Sequence, residues 1–294
     1  MGAILRPQRD RRLHHTNDRV ADPAEAAGVT EATGRLGWSL MAGVNEGSEP
    51  ERERARVAGF VRFPRTPHLV WLAKASPRGD KLMAAAEAKE RLEQPMSVEE
   101  KVDGANLGLS LCADGRLRAQ TRGHYLDPRT AGQWKPLWRW MAQREDRLRS
   151  VLAPSRIAFG EWCYAEHSTF YDALPDWFLL FDVYDRREGR FWSRIRRDEI
   201  ACAAGLSTVP LVATGIFRLP ALRKLRGRSR FGSAPAEGVY LRWDDAAWVR
   251  ARAKIVRPGW IMAGDEHWST GPLKTNRLAT TGSPTPSSPT TPKD

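Results

Sequence analysis

The sharpest local feature of the sequence is Glu99-Glu100-Lys101-Val102-Asp103-Gly104-Ala105-Asn106, a lysine set among carboxylates and followed by Asp-Gly and Asn. A lysine amine is a nucleophile only after losing its proton. With a free pKa near ~10.4 it needs help from its neighbours to do so at neutral pH. Asp-Gly and Asn suit a strand running into a hairpin. The octapeptide alone is equally compatible with a surface salt-bridge cluster ending in a turn. Competing signatures are absent. The chain has no GxxxxGK[ST] or GxGxxG phosphate cradle, no GxSxG elbow and no HExxH pair. Cys112, Cys163 and Cys202 lie far apart, without CxxC spacing, and read as reduced thiols. The histidines show no metal-ligand spacing.

The elements that must position this lysine alternate irregularly. Residues 80–93 read as a helix capped by Asp80. Residues 96–103 and 105–112 read as strands, followed by an Asp114-Gly115 turn and a strand over 116–121. A helix with a broad aromatic face is expected over 134–152, and buried strands over 156–163 and 177–184. A short strand at 190–192 leads into a helix at 193–204 with Ser193 as its cap. A basic helix or loop over 221–230 precedes strands at 237–242 and 250–256. This pattern predicts an α+β fold with antiparallel sheets rather than a doubly wound α/β fold.

The 294 residues carry a net charge of +12 and a pI near 10.1. Residues 1–60 hold nine arginines and nine acids, so the whole excess lies in 61–294. A polyanionic partner fits, nucleic acid before an acidic membrane surface, and an Arg-rich composition is the plainer alternative. Arg223, Lys224, Arg226, Arg228 and Arg230 form an acid-free cluster that suits a phosphate backbone or a solvated face. No apolar run nears the ~20 residues that cross a bilayer, and the N-terminus lacks a secretory core, so a cytoplasmic protein without membrane attachment is expected. Residues 1–57 read as a poorly ordered extension, 58–276 as the folded body, and 277–294 as a disordered Ser/Thr/Pro tail.

From Lys101 onward the chain resembles the covalent nucleotidyltransferases, which comprise ATP-dependent ligases and mRNA-capping enzymes. Lys101-Val102-Asp103-Gly104-Ala105-Asn106 is similar to their nucleophile motif. Five further segments follow in the family's order: Thr121-Arg122-Gly123, Phe159-Gly160-Glu161-Trp162, Phe181-Asp182-Val183-Tyr184, Glu237-Gly238-Val239-Tyr240 and Arg252-Ala253-Lys254. Within the superfamily, Phe63-Pro64-Arg65-Thr66-Pro67-His68, Asn106 and Glu266-His267-Trp268 resemble the RNA-ligase-2-like branch. The resemblance implies a nucleotidyltransferase (adenylation) domain of two antiparallel-rich sheets with flanking helices. It implies an ATP-dependent RNA ligase, with ATP and Mg²⁺ or Mn²⁺ as cofactors and RNA or a nicked duplex as partner, in RNA repair. No obligate protein partner is evident.

The resemblance also implies roles. Lys101 would carry AMP, with Lys254 and Arg252 neutralising phosphates and lowering the lysine's pKa. Glu237 would be the metal-side carboxylate, and Glu161 would hold the ribose hydroxyls. Arg122 would contact the nucleotide or the incoming 5′-phosphate. Phe181 would stack on adenine and Glu100 would accept from its amine. Asn106 would serve the sealing step, unless it only caps the turn. Arg252 departs from the family's usual Lys, exchanging a point charge for a fork. The alternatives are a DNA ligase, a capping-type enzyme, or a catalytically silent nucleic-acid-binding relative. Only 40 residues follow Lys254, few for the oligonucleotide-binding barrel that DNA ligases and capping enzymes usually add.

Overall fold

The computed structural model describes residues 59–72, 81–258 and 272–280. The expected extension over 1–57 and the segment Glu266-His267-Trp268 lie outside the described residues. The described strands are β1 Met96–Lys101, β2 Ala105–Leu111, β3 Leu117–Gln120, β4 Arg156–Trp162, β5 Phe178–Asp185, β6 Arg190–Phe191, β7 Leu211–Gly215, β8 Gly238–Asp244 and β9 Val249–Val256. The helices are α1 Ala85–Leu92, α2 Leu137–Ala142, α3 Glu145–Leu152, α4 Arg194–Ala204 and α5 Leu219–Lys224. One sheet runs β7-β1-β8-β9 and the other β3-β2-β4-β5-β6. Every pairing between these strands is antiparallel, so the fold is α+β as expected.

Strand periodicity decides which residues reach the space between the sheets. In the larger sheet, Leu107, Leu109, Ala158, Trp162, Leu180 and Val183 join a core with Trp140, Leu148 and Val151 from the helices. Their neighbours Asn106, Phe159 and Glu161 therefore face the other way. In the smaller sheet, Val98, Val239, Leu241, Ala253 and Ile255 form a second core with Met83 and Leu222. That turns Lys101, Tyr240, Arg242, Arg252 and Lys254 to the opposite face. Cross-strand register lines these up, with Tyr240 beside Lys254 and Arg242 beside Arg252.

A buried ionic network ties the two sheets together behind this face. Arg242 of β8, fully buried, donates to Asp182 Oδ1 of β5 at 2.6 Å and to the Trp192 carbonyl at 3.0 Å. Arg252 of β9 donates to Asp182 Oδ2 at 2.5 Å. Arg197 of α4 donates to Glu99 Oε1 of β1 at 2.6 Å. Breaking such a network by removing one partner costs about 3–5 kcal/mol, because a charge is left buried without compensation.

Several expected elements differ in extent. The helix expected over 80–93 begins only at Ala85, with no side-chain cap at Ala84, and Asp80 lies outside the described residues. Residues before it are drawn into pairing instead: His68 N donates to the Lys81 carbonyl at 2.7 Å and Met83 N to the His68 carbonyl at 2.8 Å. The helix expected over 134–152 is broken into a 3-10 turn, α2 and α3. The break falls at Arg144, whose guanidinium pairs with Asp176 at 3.1 Å and lies over the Trp140 ring. This tertiary anchor overrides local helix propensity. Strand β7 was not expected from the sequence. It is an edge strand without a fully buried residue, so it lacks an apolar alternation to announce it. Ser193 caps α4 as expected, accepting from Arg196 N.

The body also runs past the expected boundary at 276. Arg277 N donates to the Tyr171 carbonyl and Ala279 N to the Leu174 carbonyl, both at 2.8 Å. No helix among the described residues is long and apolar enough to cross a membrane.

Candidate active site

Lys101 closes β1 opposite Gly238, and its Nζ donates to Glu237 Oε2 at 2.6 Å. Gly238 is required by close packing, since a Cβ there would lie 2.2 Å from the Ile255 carbonyl oxygen. The Asp103-Gly104 pair then fixes the chain beyond the lysine. Asp103 Oδ2 accepts from Ser168 N at 2.8 Å and Thr169 N at 3.1 Å, while its own N–H donates to the Tyr171 hydroxyl at 2.8 Å. A Cβ on Gly104 would lie 2.7 Å from the Trp162 carbonyl oxygen. This closeness lets Gly104 N donate to Glu161 Oε1 at 3.0 Å. Tyr171 is held in turn by buried Asn276, whose side chain accepts from Tyr171 N and donates to the Cys163 and Ala165 carbonyls.

Lys101 opens onto a cavity of about 570 Å³, within the range of small-ligand sites. Glu237, Glu161, Lys254, Arg122, Asn106 and Phe181 all line it. Phe181 reaches it through a bulge: Phe159 pairs with Asp182 and Gly160 with Leu180, so residue 181 is the extra one. A bulge re-aims a side chain and leaves a ladder carbonyl unpaired. Here the Phe181 carbonyl accepts from Arg197 at 2.8 Å and Arg242 at 3.0 Å, so the ionic network also holds the aromatic wall. Arg122 stands near the tip of the turn in which Thr121 N donates to the His124 carbonyl at 2.8 Å. Asn106 pairs in register with Glu161, and its Oδ1 is buried without a hydrogen-bond partner among the described residues.

The electrostatics run against one expectation. Burial alone would lower the Lys101 amine, but Glu237, Glu161 and Asp103 outweigh it and hold the ammonium well above the ordinary lysine range. Arg252, expected to act on the lysine, is bound to Asp182, stacks on Phe191 at 4.0 Å and does not line the cavity. Burial, only partly offset by Lys101, pushes both Glu161 and Glu237 up to about 7. Acids raised in the folded state take up protons on folding between the ordinary acid range and neutrality. Their contribution to stability is therefore greatest below pH ~4.5 and is lost as pH rises towards about 7. The melting temperature of the ligand-free protein should fall over that interval, and Glu161→Gln should flatten the fall. An unchanged pH–Tm slope in the variant would remove Glu161 from this account.

Glu100 lines the cavity, but its carboxylate is turned to a neighbouring loop. Ser229 Oγ donates to Oε1 at 2.5 Å and Arg230 N to Oε2 at 2.8 Å. No role for Asp103, Asp182, Tyr171 or Tyr240 follows from the sequence. Tyr240 was signalled by its alternation with buried Val239 and Leu241, whereas Tyr171 and Asp182 depend on contacts across long stretches of chain.

The two facing sheets and the lysine-centred cavity define a nucleotidyltransferase-type domain. Among solved structures, a Naegleria gruberi RNA ligase variant with ATP and Mn aligns at a TM-score of 0.51 and 16% identity, covering 71% of this chain and 62% of that one. A second variant of that ligase, in its apo form, aligns at 0.50 and 14% identity, covering 72% and 62%. These likenesses concern the fold, and this chain spans about three fifths of the length of those ligases. No curated protein matches the sequence. The RNA ligase family model matches residues 94–256, and the chain belongs to that family.

Proposed function

We propose that the protein is an ATP-dependent RNA ligase that carries AMP on Lys101, passes it to a 5′-phosphate and joins that end to a 3′-OH. The observation that carries this reading is the Lys101 ammonium, 2.6 Å from Glu237 at the mouth of a nucleotide-sized cavity walled by Phe181. In the first step the deprotonated Nζ attacks the α-phosphorus of ATP. The N–P bond forms, the bond to the β-phosphate oxygen breaks, and pyrophosphate leaves. In the second, a 5′-phosphate oxygen displaces Lys101 from AMP. In the third, a 3′-hydroxyl oxygen attacks the adenylylated 5′-phosphate and AMP departs. Phosphoryl transfer depends mainly on positioning and charge stabilisation, which suits Lys254 and Arg122 on the cavity wall.

The residues fit a divalent cation. Three carboxylates, Glu237, Glu161 and Asp103, act on the one Lys101 ammonium, a local excess of negative charge. Among the described residues no group of three or more acids, histidines or cysteines forms a metal cage. Mg²⁺ commonly uses one or two carboxylates with substrate phosphates and water, and Glu237 would hold it here, with Glu161 beside it. When bound, the ion would offset the charge that now keeps Lys101 protonated. Glu161 would accept from the ribose hydroxyls and Phe181 would offer its ring to adenine. Glu100 positions the 229–230 loop, which carries the exposed Arg228 and Arg230 of the basic cluster.

The test is incubation with α-labelled ATP or GTP and a divalent cation, followed by denaturation. Label from ATP should stay on the chain, and pyrophosphate should remove it. No protein-bound label would sink the covalent reading, and a preference for GTP would favour a capping-type enzyme.

A further inference from the structure

Outside the cavity, several buried polar atoms on the same side of the larger sheet lack hydrogen-bond partners among the described residues. Arg118 of β3 lies across from Ser110 of β2, and Gln120 across from Gly108. Gln120 is bridged to Tyr125 on the returning arm of the turn that bears Arg122. Arg186, just beyond β5, is 6% exposed and sits beside Tyr125 and Arg118. Arg186 Nη1 donates to the Gly59 carbonyl and the Tyr125 hydroxyl lies close enough to favour its cation, but among the described residues the buried Nε and Nη2 of both arginines meet no acceptor. The Arg118 guanidinium stacks 3.9 Å above the Tyr125 ring, which fixes its plane. Among the described residues no carboxylate is prominent in acting on Arg186, where burial and the like charge of Arg118 both disfavour the cation, against the charge and hydrogen bond of Tyr125 and the charge of Tyr184.

Two guanidiniums held together without an acid, with their N–H groups turned from water, are costly unless an anion completes them. Planar guanidinium forks match a tetrahedral oxyanion in geometry and charge. None of Arg118, Tyr125 and Arg186 lines the lysine cavity. Arg118 lies four residues before Arg122, a reach of roughly 13 Å along an extended strand. We propose that Arg118, Arg186 and Tyr125 form a second anion site that takes a backbone phosphate of the nucleic-acid strand whose reacting end lies at Arg122. This rests on the ligase reading for the identity of the strand, but the site itself rests on the unpaired guanidinium donors.

The experiment measures binding of a labelled 5′-hydroxyl RNA, which cannot accept AMP, by fluorescence anisotropy over a range of KCl. Full-length wild type, Arg118→Gln and Arg118→Lys are compared. Arg118 lies on an edge strand and is only half-buried, and Tm verifies that each variant is folded. Should Arg118→Gln fail to fold, Tyr125→Phe replaces it. Arg118→Gln should bind roughly tenfold more weakly, with a log K versus log salt slope flatter by about 0.7. Arg118→Lys should recover the slope but not the full affinity, and transfer of AMP from ATP to the protein should be unchanged in both. Equal affinity and slope in Arg118→Gln would overturn the site. So would unchanged RNA binding combined with a Tm increase by inorganic phosphate seen only in wild type, which would assign a small free anion instead. A wild type that binds RNA with these dependences yet takes no AMP would defeat the ligase reading and leave the phosphate site standing.

Discussion

Lys101→Met is expected to abolish transfer of AMP to the protein, with no slower residual reaction at another lysine. One amine forms the phosphoramidate, and Lys254, the other lysine on the cavity wall, projects from β9 rather than from the strand that ends beside Glu237. Methionine keeps the length of the side chain. It also removes the cation that now draws Glu161 and Glu237 down, so both acids should rise further and become more fully protonated near neutrality. The variant should therefore stay folded while losing all labelling. The wild-type protein carries a second signature. Because its acids hold the ammonium above the ordinary lysine range, labelling should accelerate as pH rises through 7 to 9, about tenfold per unit where deprotonation limits the rate. Labelling that persists in Lys101→Met would move the nucleophile elsewhere. A flat pH profile in wild type would mean that bound nucleotide and cation have already released the proton.

What was legible in the sequence was whatever the backbone itself demands. Lys101, Asp103 and Gly104 stand at fixed spacing because β1 must end, the chain must pass within contact of Trp162, and the Gly104 amide must meet Glu161. Lys254 sits two residues from Arg252 because alternate residues of β9 share a face. That face is set by Ala253 and Ile255 in the core, both fully buried. The same logic does not predict what Arg252 touches. Its partner Asp182 lies on the other sheet, and the pairing exists only once β5 faces β9. The partners of Glu100 are hidden for a similar reason, since Ser229 and Arg230 lie far along the chain and no local pattern marks them. The bulge that turns Phe181 inward is a matter of register between β4 and β5, which the one-dimensional alternation of either strand leaves open. Asn276 is the extreme case. Its four hydrogen bonds, to the Tyr164, Cys163 and Ala165 carbonyls and from Tyr171 N, support the loop that holds Asp103, yet its neighbours are polar and aperiodic.

Asn106→Ala is expected to separate the chemical steps, keeping most self-adenylylation while slowing the sealing of a pre-adenylylated strand by about 100-fold or more. Asn106 sits five residues past Lys101 on β2, opposite Glu161, with its side chain on the cavity wall. Its Oδ1 is buried and meets no donor among the described residues. A turn-capping asparagine would spend that oxygen on a local N–H, so the plain structural role finds no hydrogen bond to support it. A buried unpaired acceptor costs about 1–3 kcal/mol, and alanine would remove it. The variant should therefore be no less stable than wild type, and a Tm equal to or above the parent's would mark the asparagine as kept for a later partner. If that partner appears only when the joined ends approach, its loss lowers the rate of that step and leaves ATP affinity alone. Loss of one preorganised polar contact in such a transition state typically costs 10²–10³ in rate, which sets the expected size. Both steps can be followed separately, charging with labelled ATP and sealing on a nicked duplex with RNA at the 3′-OH side. A lowered Tm with equal loss in both steps would assign Asn106 to propping the Lys101 hairpin, and undiminished sealing would remove it from the site.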